Sequence, residues 1–159
     1  MTPPADLADQ ITALLACLPE EIPPLIPMPS LPAEASSLAS LIDHTLLAPQ
    51  STAAAVQRVA QDAQCLCAAS VCVNSSSVLA AQAALSPSSP PFAVCSVVGF
   101  PFGAGNTEGK AAETKQAIRD GAREVDMVQN VGWVKDGKWG QVWEDVHAVV
   151  TAAQSAPVK

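Results

Sequence analysis

Hydrophobic positions change period several times along this chain, and each change marks an element. Leu7, Ile11, Leu14, Leu15 and Leu18 recur on one helical face and predict a helix over 5–18. Residues 19–33 are so rich in proline that neither a helix nor a central strand fits them. They read as an extended linker that sets the first helix apart. From about Glu34 an α/β repeat begins. Leu41 to Leu47 predicts a strand, and Ser51 an N-cap for a helix with Val56, Val59, Ala60 and Ala63 inward. Ala68 to Asn74 predicts a second strand, followed by an alanine-rich helix over 76–85 that ends in the loop SPSSPP. Phe92 to Phe100 is continuously apolar, as a strand buried on both faces should be. Asn106 or Thr107 caps a helix that runs to about Asp120, and Gly121 closes it. Glu124 to Asn130 predicts a fourth strand, and Asp136-Gly137 a turn. Trp139, Val142, Trp143, Val146, Val149, Val150 and Ala153 mark an amphipathic helix. Pro157-Val158-Lys159 reads as the entry to a fifth strand.

Alternating strands and helices joined by short loops imply parallel strands with right-handed crossovers. A complete (β/α)8 barrel takes ~250 residues, and this chain has 159. The fold class expected is therefore α/β: the first four βα units of a (β/α)8 TIM barrel, with an N-terminal helix and Pro-rich arm. The division expected is 1–37 for the extension and 38–159 for the half-barrel. Such a half leaves two sheet edges and one face of the strands uncovered, so it is expected to aggregate, to pair with another half or to belong to a longer chain.

Composition narrows the function. Half the residues are hydrophobic and only 14% are charged, against ~25% in ordinary domains. No apolar run approaches the ~20 residues of a membrane helix. The net charge of −7 and the lack of a basic patch argue against nucleic acid. The first basic residue is Arg58, so no basic presequence is expected and the cytoplasm is the expected location. Five cysteines without regular spacing (17, 65, 67, 72 and 95) suggest free or buried thiols in a reducing compartment. Cys65-x-Cys67 is too tight for a zinc knuckle, and neither His44 nor His147 is suitably spaced, so no metal site is expected.

Asp126 stands out as the acid in the apolar run Val125-Asp126-Met127-Val128. A carboxylate within a parallel strand is costly without compensation. It either meets an ammonium or iminium from another strand or bonds to loop amides at a strand end. Asp43 and Thr45 share one strand face, with His44 opposite, and read as site residues or as a strand-end cap. Cys72 fits a small buried hydrophobe. The turn Gly99–Gly105 follows a strand and precedes a helix but lacks GxGxxG and Walker spacing. It reads as a βα loop. Lys110 and Glu113 are placed to pair on the solvent face. Neither Lys110, Lys115 nor Lys159 suits Schiff-base chemistry on this reading.

LIDHTLLAP, AASVCVN, VVGFPFGAGNTEGKAAETKQAI and GAREVDMVQNVGWVKDGKW, in that order from about Leu38 to Lys159, resemble the deoxyribose-phosphate aldolases. The resemblance implies a class I aldolase that reversibly cleaves 2-deoxy-D-ribose 5-phosphate into acetaldehyde and D-glyceraldehyde 3-phosphate. It implies no metal or cofactor, a lysine Schiff base, and a second lysine with an aspartate that manage protons. Residue by residue it assigns Asp126 to proton transfer. It places Asp43, Thr45, Cys72 and Asn74 along the cavity for a small phosphorylated sugar. Ala48, Ser75, Ser77 and Gln129 depart from the pattern and suggest a divergent copy. The Schiff-base lysine, its partner and the phosphate loops are expected beyond Lys159, so the chain alone is expected to be inactive. The other reading is a non-catalytic half-barrel that binds or regulates, by self-association or by docking onto a full-length aldolase subunit.

Overall fold

A computed structural model describes residues 6–16, 38–86 and 92–159. The Pro-rich arm, Cys17, Leu18 and most of the SPSSPP loop lie outside the described residues, as does the packing of Leu14 and Leu15. Helix α1 (Leu7–Ala16) lies beside the last helix of the chain.

Four parallel strands form a sheet in sequence order: β1 (Asp43–Leu46), β2 (Ser70–Val73), β3 (Ala93–Val98) and β4 (Glu124–Met127). The helices between them are α2 (Ala53–Cys65), α3 (Val78–Ala84) and α4 (Thr107–Arg119). After β4 come α5 (Val131–Lys135) and α6 (Trp139–Ala153). The register runs Asp43–Ser70–Ala93 and Thr45–Cys72–Cys95–Glu124, with Val97 opposite Asp126. The chain end extends this order. Val125 donates from its N–H to the carbonyl of Pro157 at 3.0 Å, and Met127 donates to the carbonyl of Lys159 at 2.8 Å. Residues 157–159 therefore lie parallel along β4, through an isolated bridge between Val125 and Val158.

Side chains alternate across a strand, and here the alternation separates two environments. Leu46, Val71, Val73 and Val94 meet Val56 and Ala60 of α2, Val78 and Ala81 of α3 and Ala117 of α4. Val98, Val125 and Val158 meet Val149 and Ala153 of α6. All these contacts lie on one face, so the described helices that pack on the sheet cover one side of it. A sheet wound in a single sense has no switch point of the doubly wound kind. The other face carries Cys72, Cys95 and Val97, with Leu47 packed against them. β3 is buried on both faces, as its continuous apolar run predicts.

Several boundaries differ from the hydrophobic pattern. The N-cap of α2 is Thr52, not Ser51: its Oγ1 accepts from the Ala55 N–H at 3.3 Å. Asn106 caps α4 by accepting from the Gly109 N–H at 2.6 Å. β4 stops at Met127 because Asn130 accepts from the Trp133 N–H and starts α5. That short helix lacks an amphipathic signature, so periodicity could not reveal it. β3 ends where Gly99 turns into the left-handed region at φ +70.

Candidate active site

The helix-free face of the sheet gathers the ionisable groups. Asp43 starts β1 on this face, and its Oδ1 accepts from the Ser70 hydroxyl at 2.6 Å on the neighbouring strand. Its Oδ2 forms an ion pair with Lys159, reaching across from the chain end beside β4. The same ammonium lies 2.9 Å from Glu124 Oε1. Lys159, Asp43 and Glu124 therefore make a three-member charge network spanning the first and last positions of the sheet. Burial alone would raise the Asp43 carboxyl, but the hydrogen bonds from Lys159 and Ser70 outweigh it and hold the group below its ordinary value. Burial alone would lower the Lys159 amine, but hydrogen bonds to Asp43 and Glu124 prevail and raise it.

These shifts fix a pH window. The Asp43 contribution to stability is fully present above the unfolded carboxylate value of ~3.9. It is lost as pH falls through the lowered folded value. The Lys159 contribution is present below its unfolded value of ~10.4 and is lost as pH rises through the raised one. Asp43→Asn should destabilise the chain at neutral pH, and the difference from wild type should vanish in acid. Both partners are a third or so exposed, so the neutral-pH loss should stay within about 1 kcal/mol. Urea unfolding of both proteins at neutral and acid pH measures it. A difference unchanged across that range would remove Lys159 as the partner that matters.

Asp126 follows Val125, which is fully buried against α6, so its own side chain faces the helix-free side. Among the described residues it has no hydrogen-bond or ion-pair partner. Cys72 sits on the same face and feels the charges of Asp126, Lys159 and Asp43. The other two candidates bond locally. The Thr45 hydroxyl donates to the carbonyl of Asp43 at 2.8 Å. Asn74 donates from Nδ2 to the carbonyl of Leu47 at 3.2 Å and braces β2 against the end of β1. Asp43, Cys72 and Asp126 thus converge on one region, whereas Thr45 and Asn74 bind backbone.

Sequence reasoning missed Lys159 and Glu124 as members of this cluster. Glu124 is two residues from Asp126 and shares its face, a signal that was available. Lys159 was not legible, because only the pairing of 157–159 along β4 turns its side chain toward Asp43.

The expected Lys110–Glu113 surface pair does not form. Lys110 is 2% exposed. Its Nζ lies 2.5 Å from Asp145 Oδ2 on α6 and donates to the carbonyl of Val128 at 2.9 Å. Asp145 Oδ1 also accepts from the Thr107 hydroxyl at 3.1 Å. Glu113 instead ties two βα connections together, accepting from the Ser75 hydroxyl at 2.7 Å and the Gly99 N–H at 3.0 Å. Turn Gly99–Gly105 is held against the end of β4. A Cβ on Gly103 would lie 2.1 Å from the carbonyl oxygen of Gln129. A groove of about 340 Å³ lies between the chain end and α6, lined by Met127, Gln129, Val146, Val150, Val158 and Lys159. His147 stacks on Trp143 at 4.6 Å. Among the described residues, no group of three or more His, Cys, Asp or Glu could hold a metal, and no helix is long and apolar enough to cross a membrane.

Fold and site define an α/β protein that concentrates carboxylates, a lysine and buried thiols on the sheet face that the described helices leave free. The chain is a homologue of the deoxyribose-phosphate aldolases. It is 50% identical over 123 residues to deoxyribose-phosphate aldolase 1 of Cutibacterium acnes, covering 77% of this chain and 56% of that protein. It is 46% identical over 121 residues to deoxyribose-phosphate aldolase 2 of Staphylococcus aureus, covering 76% and 54%. The chain thus spans about half the length of the curated relatives it matches. A crystal structure assigned to the deoxyribose-phosphate aldolases from Coccidioides immitis superposes with a TM-score of 0.83 at 33% identity, over 95% of this chain and 58% of that one. The tetrameric deoxyribose phosphate aldolase of Aeropyrum pernix shares the fold, with a TM-score of 0.67 at 24% identity, over 98% of this chain and 58% of that one. No family model matches the chain.

Proposed function

We propose that residues 38–159 are the first four βα units of a (β/α)8 deoxyribose-phosphate aldolase barrel, and that 1–37 form an extension to it. The assembled barrel would cleave 2-deoxy-D-ribose 5-phosphate reversibly to acetaldehyde and D-glyceraldehyde 3-phosphate through a lysine Schiff base. The observation that carries this reading is Asp126: a carboxylate on the sheet face that the described helices leave free, without a hydrogen-bond or ion-pair partner among the described residues. In a closed barrel that face becomes the lumen. A carboxylate there can accept or return a proton beside a carbon whose electrons drain into an iminium. Asp43, held ionised by Lys159 and Ser70, lines the same lumen.

The nucleophile must come from elsewhere. Amine attack on a carbonyl needs the neutral amine. Lys159 is clasped by two carboxylates, which favours its ammonium form. Lys110 is buried against Asp145. Lys115 and Lys135 sit on helices, and Lys138 pairs with Asp136 at the surface. The chain alone is therefore inactive on this reading.

Borohydride reduction in the presence of 2-deoxy-D-ribose 5-phosphate tests it. The chain by itself should show no reduced adduct on any lysine. Mixing it with a polypeptide supplying the unmatched half of the Cutibacterium acnes relative should restore cleavage, with the adduct on the added half. Asp126→Asn should then abolish most of that cleavage while the two halves still associate. An adduct on Lys159 in the chain alone would overturn the division of labour. Association with no cleavage would favour the binding reading.

A further inference from the structure

Cys72 and Cys95 take no part in the chemistry proposed above, and their placement is specific. They are direct register partners on the adjacent strands β2 and β3. Both point to the helix-free face and pack together with Val97 and Leu47. Adjacent strands lie ~4.8 Å apart, within the Cα separation of ~4.4–6.8 Å that a disulfide spans. The other two described cysteines, Cys65 and Cys67, are exposed near the end of α2. The barrel-side pair is therefore distinct from them in both setting and partner.

We propose that Cys72 and Cys95 form an oxidisable dithiol that a small hydroperoxide converts to a reversible cross-strand disulfide. The two positions are not equivalent. Interaction with the Cys95 thiol draws the Cys72 thiol down, against burial and the charges of Asp126 and Asp43, with help from Lys159. The same interaction, added to burial, drives Cys95 up. Both thiols are buried, but Cys72 keeps 3% exposure and Cys95 none, so a small hydroperoxide reaches Cys72 first; Cys72 is the attacking sulfur and Cys95 the resolving one. The Cys72 thiolate attacks one peroxide oxygen; an S–O bond forms, the O–O bond breaks, and hydroxide or alkoxide leaves. Cys95 sulfur then attacks the Cys72 sulfur. An S–S bond forms, the S–O bond breaks, and the departing hydroxide takes the Cys95 proton as water. Two thiols lose two electrons and the hydroperoxide gains them.

The inference does not depend on aldolase activity, and its test needs none. The full chain is treated with graded hydrogen peroxide, alkylated and cut with chymotrypsin. Trypsin is unsuitable because Arg58 and Lys110 bracket all four of Cys65, Cys67, Cys72 and Cys95 without a site between. Leu79, Leu85 and Phe92 separate Cys72 from Cys95. The expected product links the fragments that hold Cys72 and Cys95, and dithiothreitol releases it. A Cys17→Ser/Cys65→Ser/Cys67→Ser variant, which keeps the pair alone, should still lose two hydrogen atoms from its intact mass. In Cys95→Ser, Cys72 should stall as a dimedone-reactive sulfenic acid. In Cys72→Ser, Cys95 should remain alkylatable. Linkage of Cys72 to Cys65 or Cys67 instead, or full alkylation of both barrel-side thiols while the exposed ones oxidise, would overturn the proposal.

Discussion

Lys110→Met should lower the unfolding free energy of this chain by about 3–5 kcal/mol, the loss seen when one partner of a buried ion pair is removed. Asp145 is 1% exposed and, among the described residues, has only the Thr107 hydroxyl as a further partner. The substitution strands its charge away from water. It also removes the donor to the Val128 carbonyl, two residues beyond Asp126. Urea unfolding followed by circular dichroism measures the loss. The double variant Lys110→Met/Asp145→Leu should regain most of it, because neither charge is then left unpaired. If the single and double variants lose the same amount, the methionine packing is at fault and the ion pair is not. Lys110→Arg should itself be destabilising, since the planar guanidinium is larger than the ammonium and Lys110 is already 2% exposed.

Gly103→Ala should cost about 2–5 kcal/mol from two separable causes. The left-handed backbone at φ +63 costs a residue with a Cβ ~1–2 kcal/mol. The new carbon would overlap the Gln129 carbonyl oxygen at 2.1 Å. Relieving that overlap shifts packed backbone, at roughly 1–3 kcal/mol. Gly105→Ala is the matched control. Nothing lies within 4 Å of its Cβ position, so it should be nearly neutral. Thermal unfolding of the two variants separates the positions. Equal effects would mean that the turn does not rest on β4. In the proposed barrel this turn borders the site, so Gly103→Ala should also weaken activity once the missing half is supplied.

The two variants bear on how the sheet presents its polar face. Lys110 and Gly103 both press on residues 128–129, one through a hydrogen bond and one through close backbone approach. The carboxylate of Asp126 projects from the strand just before that clamp.

The order of strands and helices, the single-sense winding and most of the core could be read from the chain, because apolar periodicity and caps are local properties. Asn106 announced α4, and Val125, Val149 and Ala153 announced the helix-side core. Asp126 was legible too, since an acid within an apolar strand has few explanations. Lys110 was not. Its spacing from Glu113 suits a surface pair, and only the packing of α6 against α4 brings Asp145 to its amine. Lys159 was missed for the same reason, because its partners stand on β1 and β4. The Cys72–Cys95 pairing needed the strand register, which a one-residue slip would have destroyed. The sequence by itself determined the order of the four strands and the longer helices and which face their apolar residues take, since periods of 2 and 3.6 residues are written along the chain. Tertiary structure decided which charges and thiols meet, because side chains distant in sequence become neighbours only through strand order, register and helix packing.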